Sequence, residues 1–400
     1  MSAPEAQRGS SDGVAAPVPT LRSSRAARTG AKVLPEHARN HNRALVLQTL
    51  FHGGSMSRAD VARETGLTRV TVSDLVGELI ASGYVVEKGP REDARPGKPA
   101  ILIDIDRGAH RIVGLDLSGP DRFVGAVLTL DGEIVARAEV PRPPATAPDT
   151  RADTRDTVAE AVVELARILV ADAHAPVLGI GVGTPGVVDE RGVVLSAPNL
   201  GWHGFDLRGH LEDALGRPTL VANDANAAAL AEYTFGGAEG DLLLIRVGAG
   251  VGAGLLSGGQ PMRGARHAAG EIGHVTIGTD GGPVCACGKV GCLEAWLSVP
   301  SLTRDLVDAA EPATVLRDAG ERLAIAIAPI VGALDLSEIV LSGPEELLDG
   351  PLLEAVVETL RARTLAEFHD GVRVRMTRHG PDIVLRGAAV MVLTGQLGVF

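Results

Sequence analysis

Residues 271–294 open on Glu271-Ile272-Gly273-His274, pass through a glycine-rich turn and close on Cys285-Ala286-Cys287-Gly288-Lys289-Val290-Gly291-Cys292-Leu293-Glu294. The chain's three cysteines all fall within these last eight positions from Cys285, and His274 stands eleven positions before the first of them. Three thiolates and one imidazole suit a closed, tetrahedral structural zinc, because no coordination position is left for an activated water. Glu271 and Glu294 bracket the four ligands, so the metal would shape a polar site and not act in it. The other reading is three reduced thiols packed as small hydrophobes, since an odd cysteine count offers no disulfide framework. The spacing, which a core would not require, favours zinc.

Four hundred residues, 45% of them apolar, suffice for two or three domains with sizeable cores. Apolar runs such as Ala324 to Leu334 fall short of the ~18 residues a membrane span needs, and no apolar stretch follows the N-terminal charges. A cytoplasmic protein without a secretion signal is therefore expected, and cysteines committed to a metal fit that reducing compartment. The net charge of −12 conceals a gradient. Residues 1–38 carry five basic and three acidic groups and residues 39–100 nine and seven, which leaves the first hundred at +4 and the remainder at −16. A mildly basic module precedes an acidic body.

Residues 1–38, rich in Ala, Ser, Pro and Arg, are expected to be a disordered tail, with Arg22, Arg25, Arg28 and Lys32 either touching phosphates or simply solvated. The spacing then predicts helices over 40–51, 57–65 and 68–82, with a turn at Gly66-Leu67 between the last two, a helix-turn-helix pattern. Ser57 and Thr68 are good N-caps. Val72, Leu75, Val76, Leu79 and Ile80 recur at helical spacing as a buried face, leaving Arg69, Thr71, Ser73 and Asp74 on the other. Strands over 84–88 and 100–104, joined by a tip containing Arg91, Arg95 and Lys98, would form a wing. A helix capped at Thr68 can enter a major groove N-terminus first and offer Arg69, Thr71 and Ser73 to base edges, with Arg58, Arg95 and Lys98 supplying cations. A three-helix protein-interaction module is the competing reading. The cations of the short wing favour DNA.

From Ile112 the pattern turns to strands and glycine turns: strands over 112–117, 123–130 and 133–138, a loop over 141–148, a helix over 151–173, then a strand over 177–183 and the turn Thr184-Pro185-Gly186. A related succession begins at Asp241, with a strand over 242–247, the run Gly248-Ala249-Gly250-Val251-Gly252-Ala253-Gly254, a second strand and the turn Ser257-Gly258-Gly259. Two halves that each open strand, glycine turn, strand suggest a duplicated α/β fold with a cleft between lobes.

With these features the chain resembles the ROK family (repressor, open reading frame, kinase), in the form of a transcriptional regulator, over residues 39–400. The resemblance rests on the winged helix-turn-helix, Gly183-Thr184-Pro185-Gly186, Ala197-Pro198-Asn199-Leu200-Gly201-Trp202, Asn223-Asp224-Ala225-Asn226, Glu271-Ile272-Gly273-His274 and the cysteine cluster. It implies an α/β architecture: a winged domain over 39–106, then an actin-like, two-lobed sugar-kinase fold. The small lobe would span 107–222 plus 377–400 and the large lobe, with the zinc loop, 223–376. It also implies a sugar held in the cleft by Asn199, Asn223, Asp224, Glu271, His274 and Glu294, which offer the donors and acceptors that pyranose hydroxyls need once they leave water. His274 would hold zinc through one ring nitrogen and keep the other for a hydroxyl. Read alone, Asn223 and Asp224 could simply cap the helix that begins at Ala225, and Glu271 and Glu294 could be solvated acids; Asn226 is taken as structural.

Asp224 stands where the resemblance implies the catalytic base of phosphoryl transfer. The nucleotide side departs from the kinases. Their Asp-x-Gly-Gly-Thr is here Asp116-Leu117-Ser118-Gly119-Pro120-Asp121, in which Pro120 removes a backbone donor and Asp121 adds negative charge. Their Gly-Thr-Gly is Gly248-Ala249-Gly250, and the adenosine-side Gly-Gly is Ser342-Gly343. The expectation is a sugar-responsive regulator of carbohydrate metabolism, a repressor and not an enzyme. It would bind operator DNA as a homodimer or homotetramer, answer to a sugar or sugar phosphate, carry structural Zn2+ and have no membrane partner. Two other readings stay open: an active ATP-dependent, glucokinase-like kinase with an appended DNA-binding domain, and a regulator answering to a partner protein with a vestigial sugar site.

Overall fold

The hydroxyl of Ser57 accepts a hydrogen bond from the backbone of Asp60 while the Asp60 carboxylate accepts one from the backbone of Ser57, a reciprocal cap that starts α2 (Arg58–Thr65). Gly66, at φ 70°, ends that helix in the left-handed conformation that side chains resist. Thr68 then caps α3 (Arg69–Ala81) by accepting from the amide of Thr71. Before them runs α1 (Pro35–Gly53), which begins at Pro35 and not at residue 40, a first-turn proline being compatible with a helix start. The strands β1 (Met56–Ser57), β2 (Val85–Pro90) and β3 (Ile101–Ile105) form an antiparallel sheet in the order β1-β3-β2. The expected winged helix is present, with an added strand, β1, too short for its alternation to be read in sequence. The structure, a computed structural model, describes residues 35–91, 99–144, 151–278, 281–365 and 371–399. The expected tail cations Arg22, Arg25, Arg28 and Lys32, and Arg95 and Lys98 of the wing tip, lie outside the described residues.

Next come β4 (Arg111–Asp116), β5 (Arg122–Leu128), β6 (Ile134–Pro141), α4 (Arg151–Asp172) and β7 (Val177–Thr184). A small antiparallel sheet of β8 (Val187–Val188), β9 (Val193–Ala197) and β10 (Trp202–Asp206) follows, then α5 (Leu207–Leu215), β11 (Thr219–Asn223) and α6 (Asp224–Thr234). Residue 141, expected in a loop, ends β6; that strand lies at a sheet edge, where the missing N–H of proline costs no ladder bond. The second half contains β12 (Leu242–Val247), β13 (Val251–Ser257), β14 (Gln260–Pro261), α7 (Leu293–Leu297), α8 (Val299–Val307), α9 (Pro312–Leu334), β15 (Glu338–Ser342), α10 (Glu345–Leu348), α11 (Pro351–Arg363), β16 (Arg373–Met376) and α12 (Ile383–Leu397).

The two large sheets share one plan. The first runs β11-β7-β4-β5-β6 and the second β16-β15-β12-β13-β14. In each, a central strand (β4 or β12) pairs antiparallel with the strand that follows it on one side and parallel with a later strand on the other. The duplication expected from the strand and glycine-turn openings is thus present in the topology. Because the parallel strands of both sheets end near each other, Asp116 and Asn223 from the first half and Arg246 from the second come into one region, where ligands of open α/β sheets bind.

Helix α12 returns to the first sheet and lies against it at backbone distance. A Cβ on Gly181 of β7 would meet the carbonyl of Ala388, and one on Gly387 would meet the carbonyl of Ala227 in α6, so only glycine permits this approach. Along the same helix Leu385, Ala389, Val392, Leu393 and Leu397 enter a continuous apolar cluster with Leu47, Leu50, Val72, Leu75 and Leu79 of the winged helix and Ile112 and Leu128 of the first sheet. The winged helix therefore has no separate core. Replacing the fully buried Leu393 by Ala should cost about 2–5 kcal/mol. Hydrogen exchange should then quicken in both α3 and β4; faster exchange in only one of them would mean that the shared core does not behave as a unit.

Candidate functional site

On α3 the apolar face points inward and Arg69, Ser73 and Asp74 are exposed, with Thr71 half-buried and bonded to the Thr68 hydroxyl at 2.9 Å. Val70, not singled out from sequence, is 71% exposed beside Arg69. A methyl-bearing side chain standing free at a helix N-terminus is the kind of group that can meet a thymine methyl. Its signal was present, an apolar residue off the Val72/Leu75/Val76/Leu79 face. Arg58 lies at the start of α2, where it pairs with Glu87 of β2 at 2.9 Å.

The cysteine loop is built by turns. His274 ends a 3-10 turn (Ile272–His274), a bridge between Val284 and Val290 closes the loop that carries Cys285 and Cys287, and Cys292 stands at the start of α7. One ligand atom from each of His274, Cys285, Cys287 and Cys292 lies within 4.8 Å of the others. The Nδ1 of His274 is 3.7 Å from the Cys285 sulfur, and the Cys287 and Cys292 sulfurs are 3.7 Å apart. A tetrahedral ion with metal–sulfur bonds of about 2.3 Å has sulfur–sulfur edges of about 3.8 Å, so these residues fit a metal ion without rearrangement. Nδ1 is the nitrogen on the cluster side, which leaves Nε2 for another partner. Burial pushes the Cys285 thiol up to about 12 and raises Cys292 as well, whereas the backbone hydrogen bond at Lys289 lowers the exposed Cys287. Metal-free protein should therefore be alkylated first at Cys287, and metal should protect all three thiols. Equal alkylation of Cys287 with and without added Zn2+, followed by mass spectrometry, would exclude Cys287 as a ligand.

The carboxylates gather beside that loop. Asn223 ends β11 and caps α6, its oxygen accepting from the amides of Ala225 and Asn226 and its nitrogen donating to the carbonyl of Gly186. The local capping role considered from sequence is thus realised for Asn223. Asp224 opens α6, with Oδ1 accepting from its neighbour's amide at 3.0 Å and Oδ2 accepting from Nη1 of Arg246 at 2.8 Å. Burial raises the Asp224 carboxyl, and the guanidinium pulls it back down. Glu271 opens to solvent, yet the protein around it strips enough water to raise its carboxyl; His274 opposes the shift, and Asp224 and Glu294 add to it. Asp224, Glu271, His274 and Glu294 therefore share one electrostatic neighbourhood. Glu294 accepts from the amide of Val251 at 3.1 Å and from the Cys285 thiol at 3.5 Å, which ties the metal-type loop to the second glycine turn. Asn199 sits apart on the 3-10 turn (Pro198–Leu200), exposed, its carbonyl accepting from Arg142.

Two groups that sequence reasoning passed over, Arg246 and Arg142, complete the region together with Asp116 and Ser118. Arg246 also donates to the Ser118 hydroxyl at 2.6 Å and lies 3.7 Å from Asp116. Asp116 in turn accepts from both the amide and the hydroxyl of Ser118. Arg142 donates to the carbonyls of Gly119 and Pro120. The available signal was a lone cation in an apolar strand, Leu242-Leu243-Leu244-Ile245-Arg246-Val247, since a charge is seldom buried without a partner.

A winged helix joined to a duplicated, two-lobed fold of sugar-kinase type defines the class. The ROK family model matches residues 112–394 and a MarR family model residues 41–96, and the chain belongs to the ROK family. It is 31% identical to a putative xylose repressor of Caldicellulosiruptor sp. (strain Rt8B.4), over 89% of this chain and 96% of that one. It is also 31% identical to a glucokinase of Halalkalibacterium halodurans, over 70% and 94%. Among solved structures, a ROK family transcriptional regulator described as a homolog of the E. coli MLC protein superposes with a TM-score of 0.76 at 24% identity, over 91% of this chain and 98% of that one, a likeness of fold. A ROK glucokinase from Streptomyces griseus, with glucose and AMPPNP, superposes at 0.59 with 25% identity, over 70% and 98%.

Proposed function

We propose that this chain is a sugar-responsive transcriptional repressor of carbohydrate metabolism. The observation that carries the reading is α3, capped at Thr68 and exposing Arg69, Val70 and Ser73, on a winged helix whose core continues into the fold that holds the acidic site. The similarity to xylose repressors over nearly the whole chain supports it. In this reading Arg69, Val70, Thr71 and Ser73 meet base edges and Arg58, Arg95 and Lys98 meet phosphates, with two or four copies of the chain on a palindromic operator in the cytoplasm. A sugar is held by Asn199, Asn223, Asp224, Glu271, Nε2 of His274 and Glu294, with Asn223 also setting the start of α6. Zn2+ on His274, Cys285, Cys287 and Cys292 is structural and fixes the imidazole, so its loss loosens the sugar site. The lobes divide at residues 107–222 plus 377–400 and 223–376.

The alternative, an ATP-dependent sugar kinase with an appended DNA-binding domain, is favoured by Asp224 at the head of α6 and by the glucokinase similarity. Against it stand the fates of the phosphate-loop groups. The Ser118 amide is taken by Asp116, the Gly248 amide by the carbonyl of Gly250 and the Val251 amide by Glu294, while Arg246 holds the carboxylate that a base would have to keep free. Phosphoryl transfer depends on such donors being preorganised for phosphate oxygens.

Selection of the zinc-loaded protein against a random duplex library at near-physiological salt should enrich a palindromic site. Arg69→Ala should weaken binding to that site by about 1–3 kcal/mol and relax one base position. Sugar-dependent ATP hydrolysis in the absence of any enriched sequence would favour the kinase instead. Glu271→Ala should leave operator affinity within about twofold while removing the sugar response; a retained response would exclude Glu271 from the ligand site.

A further inference from the structure

Arg246 leaves β12 in the second half of the fold and ends among oxygens of the first half. Nη2 reaches Ser118 Oγ at 2.6 Å and stands 3.7 Å from Asp116 at the end of β4. Nη1 takes Asp224 at 2.8 Å. The three ionised groups are largely shielded, the arginine side chain being 22% exposed and the two aspartates 14% and 13%. By the proposed division the contacts to Asp116 and Ser118 tie the lobes, and the remaining anchor, Asp224, on the same lobe as Arg246, is also a carboxylate that the proposed sugar would use.

Both oxygens of Asp224 are already engaged, one by the amide of Ala225 and one by Arg246. A ligand hydroxyl that comes to Asp224 must therefore compete with the guanidinium or share Oδ2 with it, and either event alters the strength and direction of the tie to Asp116 and Ser118. We infer that Arg246 is a positioning residue that converts occupancy of the sugar site into a change in the spacing of the lobes. The inference rests on the sugar-responsive reading above and adds the means of response. A ligand shifts a two-state protein only through contacts that differ between the states, and a shared carboxylate supplies that difference.

The tie is also well placed to be felt at the DNA-binding end. Asp116 ends the strand whose Ile112 lies in the core shared with α1 and α3. Asp224 begins α6, whose Ala227 carbonyl lies against Gly387 of α12, and beyond the end of α12 Gly398 packs against Ala44 of α1. A change in how β12 holds β4 and α6 therefore acts on elements packed against the winged helix without intervening loops.

The test unties the first-lobe end and leaves Asp224 and Arg246 in place. Full-length, zinc-loaded wild type and the double variant Asp116→Asn/Ser118→Ala are titrated with the selected operator, alone and with saturating xylose, glucose or N-acetylmannosamine. Sugar binding is measured separately by calorimetry. In the wild type one of these sugars should change operator affinity by a factor within the usual allosteric range of about 5–150. In the double variant the sugar should bind within about threefold of wild type while its effect on operator affinity falls below about twofold. A double variant that binds the sugar and keeps the full effect overturns the role of the bridge. Arg246→Met, with the same titration, supplies an independent check should the double variant misfold; there too a full effect overturns the inference. Wild type that binds the operator but neither binds nor answers to any of the three sugars overturns the parent reading, and this one with it.

Discussion

The contact on which most of the structure depends is the approach of α12 to two surfaces at once. Gly181 and Gly387 let its backbone lie directly on β7 and on α6, closer than any side chain would allow. The remaining faces of the helix can then fill two different spaces. Val384 enters the small cluster between α6 and β15, while Leu385, Val392 and Leu393 complete the core under the winged helix. Close-packed interiors pass displacement on instead of absorbing it, so an element that is common to three packed regions ties their positions together. The DNA-binding module is for this reason an extension of the first lobe's core and not a bead on a linker.

Much of this was legible in the sequence, and the limits have physical causes. Helix ends could be placed because Ser57, Gly66 and Thr68 act through their own backbone neighbourhood, within three residues. The repeated strand and glycine-turn openings gave the duplicated topology because hairpins are local. The cysteine cluster was readable because His274, Cys285, Cys287 and Cys292 stand close in sequence, and the turns between them bring their ligand atoms within 4.8 Å of one another. What could not be read were facts that depend on pairing across hundreds of residues. Ser118 meets Arg246 across 128 positions, and Arg137 meets Asp382 across 245. The shared core was equally hidden: Val72, Ile112 and Leu393 each look like the buried face of a separate element, and nothing local says that they face one another. Asn223 shows the reverse case. Its local chemistry gave a helix cap, which the structure contains, while the ligand role came from family resemblance and belongs to the proposal.

The acidic site is informative about what it is suited to bind. Polyol hydroxyls are neutral and need acceptors as well as donors, which Glu271, Glu294 and Nε2 of His274 would supply in the proposed reading, next to a loop whose four side chains could hold a metal ion. Polyphosphate needs the opposite, an array of unspent amides and cations. Here the nearby amides are already bonded, and the nearest guanidinium is balanced by two carboxylates. In the proposed reading the sugar side stays open while Glu294 and Asp224 occupy a backbone amide and a guanidinium of the phosphate side.

Arg246 is the costly choice at its position. Shielding a guanidinium and two carboxylates from water carries a desolvation penalty that their attraction often fails to exceed, so a well-packed apolar residue on β12 would serve stability at least as well. A strand that otherwise reads Leu242-Leu243-Leu244-Ile245 could have supplied one. What an apolar residue could not supply is direction and competition. The guanidinium holds Asp224 and Ser118 at hydrogen-bond distance, and each of those bonds can be exchanged for another without emptying a cavity. Apolar contacts between lobes would favour one closure and offer a hydroxyl nothing to replace. If Asp224 also meets a sugar, as proposed, a shielded ion bridge offers the ligand a bond to exchange, and such an exchange acts on the equilibrium between lobe arrangements only as far as the ligand binds one of them better.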